Sequence, residues 1–148
     1  MNSTSGVSLG GFEFRVSPGC SGCDCATMLN LAERVLIVDD HAGFRRLARA
    51  LLEADGFEVV GEAIDGAATL AAVERVRPDV VLLDAQLPDV SGFEIARVLC
   101  DREDGPAVVM ISSRDASDFG HRLERSGARG FIPKSRLSGA ALAALVSC

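Results

Sequence analysis

Val35-Leu36-Ile37-Val38-Asp39-Asp40 and Val80-Val81-Leu82-Leu83-Asp84 are short apolar runs that each end in acid, and their reading decides the fold. Such runs, rich in β-branched residues and cut off by charge, are the pattern of strands buried on both faces, as in a parallel sheet covered by helices. Two later stretches follow the same plan. Val108-Val109-Met110-Ile111 ends in Ser112, and Gly130-Phe131-Ile132-Pro133 ends in Lys134. In open parallel sheets ligands bind outside the carboxyl ends of the strands. Three aspartates, a serine and a lysine therefore stand where this kind of fold places its chemistry.

Outward from these runs, strands are expected at about 34–38, 57–61, 79–83, 107–111 and 129–132, each followed by a helical stretch. Phe44, Leu47, Ala48 and Leu51 recur at i, i+3, i+4 and i+7 and predict an amphipathic helix, with Arg45, Arg46 and Arg49 on a solvated side. Asp65 is the expected cap of a second helix over 66–76, which Pro78 brings to an end. Ser91 and Glu94 have capping-box spacing for a third over 92–101. A fourth, 115–126, opens at Asp115 and closes at Gly127, and a fifth spans 137–147. Repeated strand-helix units with right-handed crossovers give an α/β fold, a doubly wound parallel sheet of five strands in the order 2-1-3-4-5.

With 148 residues, 48% of them apolar, the chain is long enough for one domain with a substantial core. Twenty-one acidic residues against fifteen basic ones offer no general footprint for nucleic acid, so direct DNA binding is not expected. No apolar stretch approaches the roughly 20 residues of a membrane span, and no basic start with an apolar core marks a secretory signal. A cytoplasmic protein is expected. Cys20, Cys23 and Cys25 lie in a Gly/Ser-rich stretch with no histidine nearby, one ligand short of a closed tetrahedral zinc site. Residues 1–33 therefore read as a flexible extension, with Met28 an alternative start, and 34–148 as the domain.

In the expected strand order Asp39 and Asp40 face Asp84. Crowded carboxylates destabilise one another unless a proton or a cation intervenes. All-oxygen ligation suits a hard divalent ion such as Mg2+, which keeps coordination positions open for phosphate oxygens. Lys134 adds a point charge for phosphate or carboxylate, and Ser112 adds a hydroxyl at the same edge. Taken singly, an acidic pair after a strand is often a helix cap, and a strand-end serine is often a turn former. Four strand ends bearing such groups in one sheet point to a magnesium-assisted phosphoryl site. His41 is read as the start of the first helix, His121 as exposed, and Phe131 as a core aromatic unless its place between Ser112 and Lys134 gives it a further role.

The motifs VLIVDDH, VVLLDAQLPDVSGFE, VVMISS and GFIPKS, in this order and at these separations, make residues 34–147 resemble the receiver domain of two-component response regulators. The resemblance implies a flavodoxin-like fold in which Asp84 accepts a phosphoryl group from a histidine kinase or phosphotransfer protein. It implies that Asp39, Asp40, Asp84 and the carbonyl of Gln86 bind Mg2+. Ser112 and Lys134 would hold the phosphoryl oxygens, and Phe131 would move with the switch. Gln86 and Arg114 match positions that tune the lifetime of the acyl phosphate. Pro133 precedes Lys134 and Ser135 follows it, so the cis bond after the lysine that many receivers have is not expected. His41 after the acidic pair resembles receivers joined to a helix-turn-helix output domain.

The preferred reading is a phosphoacceptor that signals through protein contacts to an output protein, with a homodimer through the fourth helix, fifth strand and fifth helix as a further expectation. The alternative is the receiver half of a truncated DNA-binding transcription regulator. An enzyme alternative, a phosphatase of the haloacid dehalogenase type, resembles Asp-x-Asp after its first strand, whereas the acids here are adjacent.

Overall fold

The computed structural model describes residues 32–146. The readings of the 1–33 stretch and its three cysteines fall, but for its last two residues, outside them. Residues Glu33–Val146 form one compact unit. Its elements are β1 (Arg34–Val38), α1 (Ala42–Ala54), β2 (Glu58–Ala63), α2 (Gly66–Val76), β3 (Val80–Asp84), α3 (Gly92–Cys100), β4 (Ala107–Ser112), α4 (His121–Arg125), β5 (Gly130–Pro133) and α5 (Gly139–Val146). All strand pairings are parallel, in the expected order 2-1-3-4-5.

Side-chain alternation along each strand builds two cores. Leu36, Val38, Val81, Leu83, Val108 and Met110 pack on one face against Ala72, Phe93, Ile95 and Leu99. Val35, Ile37, Val80, Leu82, Val109 and Ile111 pack on the other against Ala48, Leu52 and Leu142. Continuous apolar runs are needed because neither face meets water. A Leu or Ile so placed contributes about 1.5–3 kcal/mol by leaving water. No helix among the described residues is long and apolar enough to cross a membrane.

Asp65 caps α2 as expected, its side chain accepting from Ala68 N. Arg77 ends that helix in the left-handed region (φ 48°), because Pro78 disfavours another helical residue before it. No peptide bond among the described residues is cis.

Several expectations shift. β2 runs 58–63 and β3 reaches Asp84, so the phosphoacceptor candidate is the last strand residue rather than the first of a loop. Leu47 is 53% exposed, and the buried stripe of α1 is Ala48 and Leu52 with Phe44 and Leu51 beside it. Ser91 Oγ accepts from Phe93 N at 3.2 Å, and the Glu94 side chain returns no bond, so the capping box is not formed. α5 starts at Gly139, because a 3-10 turn at Lys134–Arg136 comes first. The largest difference is the fourth helix. Ala116–Phe119 form a 3-10 turn closed by a capping box of Asp115 and Asp118, Gly120 breaks the chain direction at φ 57°, ψ −133°, and only then does α4 begin. The break turns Phe119 inward, 5% exposed, with its ring 5.1 Å from that of Phe93 and 5.9 Å from that of Phe131. Burying that ring outweighs the helical hydrogen bonds given up. Gly127, at φ 82°, ends α4 as expected.

Candidate functional site

Register brings the acids together. Val38 pairs with Leu83, so Asp39 and Asp84, the next residues, fall side by side at the carboxyl edge. Asp39 is fully buried and Asp84 is 4% exposed, while Asp40 lies on the rim. Ser112 pairs with Pro133, which delivers Lys134 to the same edge. Lys134 Nζ lies 2.5 Å from Asp39 Oδ2 and 3.3 Å from Asp84 Oδ2, and 4.8 Å from the centre of the Phe44 ring. The Asp39 contact is the shorter of the two ion pairs and helps to keep the lysine charged.

The electrostatics follow from this crowding. Burial pushes the Asp84 carboxyl above its ordinary value; the Gln86 N–H and the Lys134 ammonium pull it down, and the Asp39 carboxylate pushes it up again. Burial also works against the charge on Lys134, but its contacts with Asp39 and Asp84 prevail and hold its pKa above the usual value. One ammonium thus serves two inward-facing carboxylates. The residues present fit a hard cation: three carboxylates, one of them fully buried, converge on one spot with a single ammonium to balance them.

The remaining sequence candidates distribute around this centre. Gln86 is exposed; its N–H donates to Asp84 Oδ1 at 3.1 Å, and it bridges to Ser91 across the β3–α3 loop. Ser112 is buried, its Oγ accepting from Arg114 N at 3.0 Å, which leaves the hydroxyl proton free to be donated. Phe131 is half-buried on the face that carries Phe93 and Phe119. Arg114 is exposed beside Ser112, and His121, also exposed, lies 3.3 Å from Glu124.

Sequence reasoning undervalued two groups. His41 does begin α1, but its Nδ1 also sits 3.1 Å from Oδ1 of both Asp39 and Asp40, which makes it part of the acidic cluster. Arg45 and Arg49 are not merely solvated. Their Nε atoms both bond Glu62 at 2.9 Å, and Arg45 Nη1 donates to the Asp39 carbonyl at 2.7 Å. The signal was an i, i+4 arginine pair next to a strand with an acid at its exposed end. Asp89 was missed as well: its carboxylate accepts from Gly66 N and Ala67 N, tying the β3–α3 loop to the start of α2, and those N–H groups hold its pKa below the usual range.

Comparison with known proteins agrees with this geometry. The chain is 38% identical over 109 residues to the DNA-binding response regulator MtrA of Mycobacterium tuberculosis, covering 72% of this chain and 46% of MtrA. It is 42% identical over 109 residues to a protein-glutamate methylesterase/protein-glutamine glutaminase of Anaeromyxobacter dehalogenans, covering 73% and 31%. It therefore spans less than half the length of either relative. The signal receiver domain of the response regulator NarL from Mycobacterium tuberculosis superposes with a TM-score of 0.69 at 34% identity, covering 79% of this chain and 98% of that one. The response regulator receiver domain model matches residues 35–146, the whole sheet with its acidic edge, and the chain belongs to that family.

Proposed function

We propose that Asp84 is the phosphoacceptor of a two-component relay, taking a phosphoryl group from the phosphohistidine of a histidine kinase or phosphotransfer protein. The observation that carries this reading is a nearly buried carboxylate paired with a half-buried lysine beside two further acids. A carboxylate oxygen of Asp84 attacks phosphorus, the P–N bond breaks, and the leaving imidazole keeps the bond electrons and takes a proton. A carboxylate needs no general base to do this; what it needs is neutralisation of charge around the phosphoryl group. Asp39, Asp40, Asp84 and the Gln86 carbonyl would hold Mg2+, which would supply part of that neutralisation. Lys134 supplies the rest, and is freed from its double pairing once Asp84 becomes an acyl phosphate. Ser112 donates its hydroxyl proton to a phosphoryl oxygen, drawing the loop after β4 inward. Phe131, on the same face of the sheet, follows.

The domain is read as a signalling acceptor that acts through protein contacts of α4, β5 and α5, and not as an enzyme on other substrates. A second reading, the receiver part of a DNA-binding regulator, is favoured by the coverage of MtrA, less than half of which this chain matches. Incubation with acetyl phosphate and Mg2+, followed by intact-mass spectrometry, tests the chemistry. Mg2+-dependent gain of one phosphoryl group is expected, lost in Asp84→Asn; full phosphorylation of that variant would remove the assignment.

A further inference from the structure

β1 ends at Val38, and the backbone of the next residue, Asp39, is completed by two separate contacts. Its N–H donates to the Ala63 carbonyl at 3.1 Å, and its own carbonyl accepts from Arg45 Nη1 at 2.7 Å. Asp39 is fully buried, and a buried carbonyl needs a partner. A guanidinium is a strong one, because a charged donor makes the shorter and firmer bond. Arg45 is itself held. Its side chain is only 16% exposed, and its Nε donates to Glu62 Oε1 at 2.9 Å, while Arg49 Nε takes Glu62 Oε2 at the same distance. Burial works against the charge on Glu62, but the bonds from Arg49 and Arg45 prevail and keep its pKa below the usual range. One edge of the Arg45 fork is thus tied to β2 and the other to the end of β1.

The carbonyl that Arg45 holds belongs to the peptide joining Asp39 to Asp40, two of the acids of the pocket. A peptide unit is planar and stiff, so fixing its oxygen fixes the plane from which Asp40 departs. Asp39 has further anchors: its carboxylate accepts from His41 N at 2.8 Å and pairs with Lys134. Asp40 lies on the rim, where it meets the exposed imidazole of His41, and its direction depends on the backbone before it. Groups that orient metal ligands in this way typically change affinity tenfold or more when removed. Charge alone argues the other way, since a guanidinium close to the acids repels a divalent cation. Positioning and repulsion therefore have opposite signs, and a substitution separates them.

We propose that Arg45 is a positioning residue of the acidic pocket, locking the Asp39–Asp40 peptide so that both carboxylates stand in place for Mg2+. The role rests on the Mg2+ reading of the pocket given above. The test titrates the full chain with Mg2+ and follows the amide NMR shifts of residues 39–41 and 84–86. Arg45→Met should weaken binding about tenfold, although it removes a positive charge from beside the cation. Arg49→Met takes the same charge from the same Glu62 and leaves the carbonyl bond intact, so it should bind Mg2+ as tightly as the parent or more tightly. Arg45→Lys keeps the charge but offers one ammonium where the fork reaches two partners, and should fall between the parent and Arg45→Met. Parent affinity or better in Arg45→Met would overturn the role, and if that variant does not fold the same result in Arg45→Lys would do so. Equal losses in Arg45→Met and Arg49→Met would overturn it too, by showing that only the tie to Glu62 matters. A parent that binds no Mg2+ would remove the metal reading itself, and this role with it.

Discussion

Asp84 and Asp39 are carboxylates turned away from water, and Lys134 is the one ammonium that faces both. Because Asp84 has its pKa raised in the fold, the native state holds a proton more readily than the unfolded chain does. Its contribution to stability is therefore present below the ordinary carboxyl value near 3.8 and is lost as pH rises through the higher folded value. At neutral pH the ionised group costs stability. Asp84→Asn should raise the stability of the metal-free protein at pH 7 by about 1 kcal/mol, a few degrees of melting temperature, and flatten the decline through the acid range. Thermal melts from pH 3 to 8 in EDTA check this; a variant less stable than the parent at pH 7 contradicts it. Lys134→Met should act in the opposite direction. It strands Asp39 without a cation and should cost about 2–4 kcal/mol at pH 7, with the deficit shrinking as the carboxylates protonate. Because the folded lysine has a raised pKa, its contribution persists to about 10.5 and fades only as pH climbs through the folded value. Ser112→Ala removes the donor to the phosphoryl oxygen, a hydrogen bond worth roughly 0.5–3 kcal/mol, together with the acceptor for Arg114 N, and leaves Lys134 in place. The variant should still be phosphorylated, while NMR shifts in α4 and β5 on adding beryllofluoride should shrink; shifts equal to the parent's at saturation would show that the hydroxyl is not the trigger.

At the scale of elements, the loop from β3 into α3 is set by a close approach of backbone to backbone. A Cβ on Gly92 would collide with the Asp84 carbonyl oxygen and come within 2.9 Å of Ala85 Cα. Gly92→Ala should therefore move the acceptor without touching any charge. Phosphorylation by acetyl phosphate should fall at least about tenfold, the effect expected of a misplacement near 1 Å, and a normal rate would show that the loop yields freely. The apolar runs and their terminal charges made the sheet, its order and the meeting of Asp39 and Asp84 legible in the sequence, because burial on both faces and parallel register leave few alternatives. What stayed hidden depended on contacts distant in sequence. Nothing local to 115–126 announces that Phe119 will be drawn between Phe93 and Phe131, and helical propensity there gives way to that burial. The link from Arg45 to the Asp39 carbonyl likewise exists only after α1 has docked on the sheet.

For the whole molecule, both cores and the acidic edge are built, among the described residues, from residues 35–146. A chain beginning at Met28 should accordingly melt within about 2 °C of the full one and bind Mg2+ with the same affinity; calorimetry decides this, and a large loss in either quantity would make the preceding residues part of the domain. An open sheet leaves two outer strands whose unpaired amides could recruit further chains. Here β5 has four residues and ends at Pro133, which has no N–H to offer. β2, on the far side, carries Glu58 and Glu62, and its pairing with β1 slips between Val35 and Leu36. Short length, an imino acid, negative charge and a bulge are each recognised guards against strand-by-strand accretion into fibrils. With both edges so guarded among the described residues, strand-by-strand growth of the sheet is disfavoured even at high concentration, and a homodimer through the α4, β5 and α5 face would leave both edges unextended.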